Sequence, residues 1–428
     1  MSRASTAPPR APLGRAHVVF VTACVLAAFA ARLVVRLLDG PDGYRIGGYD
    51  FYLRIAQTWT EGFGLCVEPA VQCAQRMPLY PMMLAPFVAT DSVYPALVVW
   101  QAALGALLVF TTWGLTRALF GNRAALVAVV LAAVNPYAVV HDTALQDTVL
   151  VNLLVAFGVL LLLHARQTTE ESVAQAGYWL GGAVLALAVL TTARVALLLP
   201  AAALWALASP GRLSSTALRN AVLITIPAAM LVGGWMARNW TLTGAPILTT
   251  ESGESFWAAN NAWTFEYLPD RSIDLAVTHA YGALRPEQGE VLHSLGGRDR
   301  EADLFVGRLG WEWVRQHPVV AAWHAVRKAW MPVSARLSPV RSGYDAFGYA
   351  AFFMPVHLAA CVGMVLTWRR GAVYRLMPVL ILAFLGTTAI YWAHTSHKSL
   401  IDAFLFAYAA GAVSWMDGWR RRAGASVD

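Results

Sequence analysis

Two carboxylates and two arginines sit at places in this sequence where a helix begins or an apolar run ends, and both placements bear on chemistry. Asp50 opens an amphipathic stretch, DFYLRIAQTW, and Asp147 opens a long apolar one, DTVLVNLLVAFGVLLLL. An aspartate at the head of a helix caps the open amides and is held by the positive end of the helix dipole, which fixes the direction of its carboxylate. Capping is a structural role, yet a fixed carboxylate is also what a general base requires, and such help is worth ~10²- to 10⁴-fold in rate. His141 and Asp142 lie close to Asp147, so the acid that matters in that turn stays open on this reading. Arg194 and Arg238 each follow a largely apolar run, where a guanidinium needs an anionic partner or a path to water. Its planar fork pairs bidentately with phosphate and binds more strongly as negative charge accumulates on a leaving group. The plainer alternative is a snorkelling arginine partnered by Glu251 or Glu254. Lys328, His397 and Lys398 are further candidate cations, whereas Arg32 and Arg36, near the end of the first apolar run, read as snorkelling. There is no Gly-rich phosphate loop, no Cys or His spacing for a metal and no Ser-His-Asp arrangement. Sugar nucleotides are therefore not the expected donor.

The elements that position these residues follow from composition. With 58% hydrophobic and 13% charged residues over 428 positions, the chain carries more apolar surface than a soluble core can hide. Apolar runs near the length of a bilayer crossing, about 20 residues, begin near His17, Tyr94, Ala124, Asp147, Gly177, Val195, Ala221, Phe347, Tyr374 and Leu400. The expected fold class is therefore an all-α integral membrane protein of about ten transmembrane helices. The 32 Lys and Arg are scattered in short clusters between these runs, which argues for topology signals and against a nucleic-acid partner. With the N-terminus inside, the inside segments collect Arg3, Arg10 and Arg15, Arg117 and Arg123, Arg166, Arg212 and Arg219, Arg369, Arg370 and Arg375, and Arg420 to Arg422. The opposite turns carry almost none, so the positive-inside pattern puts both termini in the cytoplasm of a multi-pass cell-membrane protein.

The layout that follows is a cytoplasmic tail at 1–16, seven spans over 17–237 with an outer loop at 39–93, an outer region at 238–345, three spans over 346–416 and a tail at 417–428. Loops this long carry function or a fold of their own. The second contains ADLFVGRLGWEWVRQHPVVAAWHAVRKAW, whose apolar spacing suits helices lying on a membrane surface. Cys66 and Cys73 share the first loop, where an oxidising exterior permits a short-loop disulfide. Cys24 and Cys361 lie in apolar runs as small hydrophobes.

The first loop, GGYDFYLRIAQTWTEGFGLCVEPAVQCAQRMPLYPMMLAPF, resembles that of the GT-C glycosyltransferases that take a sugar from a polyprenyl-phosphate carrier, the protein-O-mannosyltransferase and aminoarabinose-transferase superfamily. The features that carry the likeness are Asp50, Tyr52, Ala56, Gly62 and Gly64, then Arg76, Pro78, Tyr80 and Pro81. Further along, NPYAVVHDTALQDTVLVNLL, LAVLTTARVALLLP, GGWMARNWTLTGAPILTTESGESFWAANN, HPVVAAWHAVRKAW and HTSHKSLIDAFLFAYAAG resemble later segments of the same superfamily in order. The chain departs from it at Phe51, where a second acid is common, and at His397 and Lys398, where Arg-Tyr-Arg is usual. The resemblance implies catalytic roles for Asp50 and Asp147. It implies substrate contacts for Arg76, Tyr80, Arg194, Arg238, Asn260, Asn261, Lys328, His397 and Lys398. The implied reaction is inverting transfer from a polyprenyl-phosphate-linked sugar to a lipid, glycan or protein acceptor on the extracytoplasmic face. No cofactor is established by it, although a divalent metal is compatible. A lipid transporter would instead show ionisable residues near the bilayer midplane and broken helices in repeated halves. A lipid-binding relative without activity is the remaining alternative.

Overall fold

The structure is a computed structural model that describes residues 13–44, 50–88, 93–208, 214–296 and 299–424. The tail expected over 1–16 lies outside them except for its last four residues, as do Arg212 and the last four residues of the chain. Among the described residues the secondary structure is helical, apart from one isolated bridge between Glu68 and Val71. In hydrocarbon every backbone N–H and C=O must be satisfied internally, and an α-helix does this within a single segment. The protein is an all-α membrane protein.

Among the described residues, seven helices are long and apolar enough to cross a membrane: Arg15–Gly40, Tyr94–Phe120, Thr148–Gln167, Glu171–Thr191, Ser215–Thr243, Gly343–Arg370 and Ala372–Ile390. The other three expected spans correspond to Asn122–Ala133, Ala193–Leu207 and Asp402–Gly424. Two of these are short for local reasons. Pro136 has no N–H to continue the helix that ends at Ala133, and Asn135 restarts the chain as Pro136–His141 by accepting the amides of Tyr137 at 3.1 Å and Ala138 at 3.3 Å. After Thr191 the backbone turns extended at Thr192 and makes one 3₁₀ turn, Ala193–Val195, before the helix resumes at Leu198. That interruption puts Arg194 in a turn between helices instead of inside one.

Arg32 and Arg36 do not snorkel. They are 1% and 0% exposed, because partners more than a hundred residues away meet them inside the bundle. Arg32 Nε donates to Asp142 Oδ2 at 2.8 Å; Arg36 donates to the Thr143 hydroxyl at 3.0 Å and to the Val140 carbonyl at 2.8 Å. Gly105 makes room for the first pair, since a Cβ there would come within 2.4 Å of Arg32 Nε. The first helix is thereby tied to the turn before Asp147, and Asp142 is committed to an ion pair.

The segments that carry Tyr52, Asp147, Arg194 and His397 lie near one another, and Glu251, from the region after the helix Ser215–Thr243, lies close to Arg194. That region is built of short helices, among them Ser252–Ala259, Ile273–Gly282, Asp299–Gln316 and Pro318–Trp330. Asp303 caps Ser252–Ala259 from another helix, accepting the amides of Gly253 at 2.7 Å and Glu254 at 2.9 Å. A Cβ on Gly253 would lie 2.0 Å from the Asp303 carbonyl, so the two helices touch there only because residue 253 is glycine. The last two helices are amphipathic as their spacing predicts. Val306, Gly310, Ala321, His324 and Lys328 are buried, whereas Trp311, Val319, Trp323, Val326 and Trp330 are exposed.

Candidate active site

The first loop is shaped by a turn that only glycines hold easily. The helix Phe51–Thr60 ends in a reversal with Gly62 at φ +87° and Gly64 at φ +86°, a region costly for residues with a side chain. Cys66 and Cys73 are joined by a disulfide that closes the hairpin beyond it. Arg238 fastens this hairpin to the end of Ser215–Thr243: its guanidinium donates to the Cys73 carbonyl and to Asn239 Oδ1 at 3.0 Å, and lies over the Trp235 ring at 4.6 Å. A backbone hydrogen bond from Thr250 to the Ala74 carbonyl, 3.0 Å, joins the same hairpin to the large loop region.

Arg76 is delivered by this hairpin. Its guanidinium stacks over Phe51 at 4.2 Å and pairs with Glu251 at 2.6 Å. Tyr80, fully buried, accepts from Gln101 Nε2 at 3.2 Å and meets the Tyr52 ring edge-on at 4.9 Å. It thus holds Tyr52, whose hydroxyl hydrogen-bonds the carboxylate of Asp147.

Asp147, 5% exposed, is pushed upward by burial and pulled back by Arg194, then Arg76, then the Tyr52 hydroxyl. Burial likewise pushes Glu251 up to about 7, with Arg76 and Arg194 opposing while Glu254 and Asp303 add to the rise. Arg76 and Arg194 therefore share the same two carboxylates although they come from different turns. Arg194 also faces His394 and His397. Burial, aided by Arg194, takes His394 down to about 4 and His397 well below its usual range, so both imidazoles are neutral at pH 7. The His397 ring lies against Trp392 at 4.7 Å. Asp50 heads the helix that carries Phe51 and Tyr52, is partly buried, and makes no side-chain capping bond to that helix.

Several residues marked by the sequence lie elsewhere. Lys328 is buried and donates to the carbonyls of Ala259 at 3.2 Å and Ile390 at 3.1 Å and to Asn260 Oδ1 at 3.0 Å. Asn260 itself donates to the Phe256 and Ile390 carbonyls, and Asn261 folds back onto Trp257 and Trp263. Burial lowers the Lys328 ammonium to about 7. These three residues knit loop helices to the end of Ala372–Ile390. Lys398 turns inward as well, paired with Asp402 and 3.0 Å from the centre of the Phe353 ring, while Asn135 donates to Asp402 at 3.0 Å. In place of Arg238, the partner of Arg194 at the carboxylates is Arg76. Glu251 was visible in the sequence only as an alternative partner for an arginine, and Tyr52 only as an aromatic on an amphipathic helix. Among the described residues no three Asp, Glu, His or Cys side chains are placed to hold a metal ion.

The sequence profile of the dolichyl-phosphate-mannose-protein mannosyltransferase family matches residues 77–235, just over a third of the chain, including Asp147 and Arg194. No curated protein is close enough in sequence to count as a match. Among solved structures, the oligosaccharyltransferase AglB of Archaeoglobus fulgidus, in complex with an inhibitory peptide and a dolichol-phosphate, is 15% identical with a TM-score of 0.55, over 97% of this chain and 52% of that one. The same enzyme tethered to an acceptor peptide gives 15% identity and 0.53, over 93% and 49%. ArnT from Cupriavidus metallidurans in the apo state is 12% identical over 92% of this chain and 77% of that one, with a TM-score of 0.41 too low to argue from. This chain thus spans about half the length of the oligosaccharyltransferase whose fold it shares. At these identities the likeness establishes the fold alone, that of the archaeal oligosaccharyltransferase over the half it shares.

Proposed function

We propose that this chain is a GT-C glycosyltransferase that transfers a sugar from a polyprenyl-phosphate carrier to an acceptor hydroxyl on the extracytoplasmic face of the membrane. The observation that carries the reading is the convergence of Arg76 and Arg194 on Asp147 and Glu251 at the loop end of an apolar bundle. Two guanidiniums at a water–lipid edge suit a phosphate whose prenyl tail stays in hydrocarbon between the spans. The dolichol-phosphate seen with the archaeal enzyme supports a lipid-linked donor, and the acceptor peptide tethered to the same enzyme supports a separate acceptor. The arginine asymmetry between the two ends supports the extracytoplasmic location and cytoplasmic termini.

In this mechanism Asp50 takes the proton of the acceptor hydroxyl as its oxygen attacks the anomeric carbon. The bond from that carbon to the phosphate oxygen breaks and its electrons go to the phosphate. Attack opposite the leaving group inverts the anomeric centre. Arg194 and Arg76 meet the charge that develops on the phosphate. Asp147, hydrogen-bonded by the Tyr52 hydroxyl and within the field of both arginines, serves to aim the guanidiniums. An arriving phosphate draws Arg76 from Glu251, whose high proton affinity then lets it take up a proton instead of staying as a buried charge. Lys328, Asn260, Asn261 and Arg238 act by position.

The test is release of polyprenyl phosphate by purified protein. Asp50→Asn keeps size while removing basicity and is expected to cost ~10²-fold or more in rate, with donor binding intact. A rate above a tenth of the parent's would end the assignment of Asp50 as base. If Asp147→Asn alone is inactive, the two acids exchange roles. An unmodified protein that moves the lipid across a bilayer without cleaving it is a transporter.

A further inference from the structure

The helix Pro318–Trp330 is built the wrong way round for water. An amphipathic helix on a wet surface turns its charges outward and its apolar side chains in. Here every exposed side chain from Pro318 to Trp330 is apolar. Val319, Trp323, Val326 and Trp330 follow at spacings of four, three and four, so they form one stripe, and its two indoles are 60% and 63% exposed. The ionisable side chains of the helix turn away from it. His324 is buried and stacks on Trp313, the Arg327 guanidinium lies over the Phe265 ring at 3.8 Å, and Lys328 is fully buried against main-chain carbonyls. Ionisable groups turned to the protein and apolar groups turned out is the arrangement that hydrocarbon demands.

The neighbours of the helix fix its depth. Lys328 is fastened to the end of one span, at the Ile390 carbonyl, and three residues past Trp330 the Val333 carbonyl meets Nδ1 of His357, inside another, at 3.0 Å. His357 stands 14 residues beyond the start of Gly343–Arg370, about 21 Å along its axis. That helix has 28 residues and is about 42 Å long, about 12 Å more than a hydrocarbon core of ~30 Å. Even with all the excess projecting on the loop side, His357 lies about 9 Å inside the hydrocarbon, and the chain leaving Trp330 meets it there. Met354 and Leu358, beside His357 in the sequence of that span, are themselves exposed, so an apolar stripe that approaches this level continues a lipid-facing surface. We propose that the stripe from Val319 to Trp330 lies against the acyl chains of the leaflet on the loop side, and that Pro318–Trp330 is the part of the loop region that enters the membrane. The contact stands whether or not the transfer reading does.

The full chain lacking Cys24 and Cys361 receives one new cysteine at a time, by Val319→Cys, Trp323→Cys, Val326→Cys or, as the reference, Glu290→Cys on the exposed helix Pro286–Ser294. Each carries a nitroxide and is reconstituted into phosphatidylcholine vesicles, where collisions with oxygen and with a water-soluble nickel chelate are read by power-saturation spin resonance. Oxygen concentrates in hydrocarbon while the chelate stays in water, so the oxygen-to-nickel ratio at 319, 323 and 326 is expected to be severalfold above that at 290. A ratio equal to that at 290 places the stripe in water. Low collision rates with both probes place it against protein, and spin–spin broadening then identifies a second copy of this chain. Either result overturns the proposal. The substituted side chains are exposed, and should one variant fail to fold, the others decide.

Discussion

Glu251→Gln removes one ionisable group while keeping its size and its ability to accept from Arg76, and the structure fixes what should follow. Burial raises the Glu251 carboxyl from an ordinary 4.5 to about 7, even against the pull of Arg76 and Arg194. The folded protein therefore holds this proton more tightly than the unfolded chain does. As pH rises past 4.5 the unfolded chain releases it first, so stability falls between about pH 4.5 and 7 and is level above that. At ~1.36 kcal/mol for each unit, the full loss is about 3 kcal/mol. The side chain is 24% exposed, so water screens little of this. Thermal unfolding in detergent, scanned against pH, should find parent and variant together near pH 4.5 and the variant higher by a few degrees at pH 7.5. Parallel profiles would show that Glu251 ionises normally. A variant that melts lower at pH 7.5 would show that the ion pair with Arg76 outweighs burial, and either result refutes the reasoning.

Arg194→Lys keeps the charge but loses the fork, and should lower kcat by ~10²–10³ if the guanidinium meets the leaving phosphate; parental turnover would return Arg194 to a structural role. Lys328→Met leaves three acceptors short of a buried donor and should destabilise by about 2 kcal/mol or more, measured as a lower unfolding midpoint, with any activity loss recovered on cooling. A cysteine at Gly289, in protein lacking Cys24 and Cys361, should be labelled by an impermeant reagent from outside intact cells; labelling only after permeabilisation inverts the proposed orientation.

How far the sequence could be read depended on the range of the physics involved. The spans were legible because about 20 consecutive apolar residues are a local signal, and their starts agree with the helices to within six residues. Arg76, Tyr80 and Asp147 could be singled out from a local motif, and the structure places Tyr80 and Asp147 against Tyr52 and Arg76 over the neighbouring Phe51. Arg32 and Arg36 were misread because nothing near them in the chain reveals Asp142 or Thr143, 110 and 107 residues away. The same limit hid the hydrogen bonds and ion pairs that Lys328, Lys398 and Arg238 make. Sequence gives the chemistry of a side chain at the end of a span, but whether it faces lipid, the bundle or the loop region depends on helix rotation and on distant neighbours. Glu251 reaches Arg76 only because a backbone bond joins residue 250 to residue 74.

The knot at Lys328 also bears on how such proteins diversify. On the span side, among the described residues, it hydrogen-bonds the main-chain carbonyl of Ile390. A carbonyl at a helix end is there whatever residue occupies the position, so the span can drift in sequence without loosening the joint. All the side-chain chemistry of the attachment, Lys328 and Asn260, lies within the loop region. At this joint, then, substitutions along the span leave the fastening intact, whereas substitution of Lys328 or Asn260 undoes it.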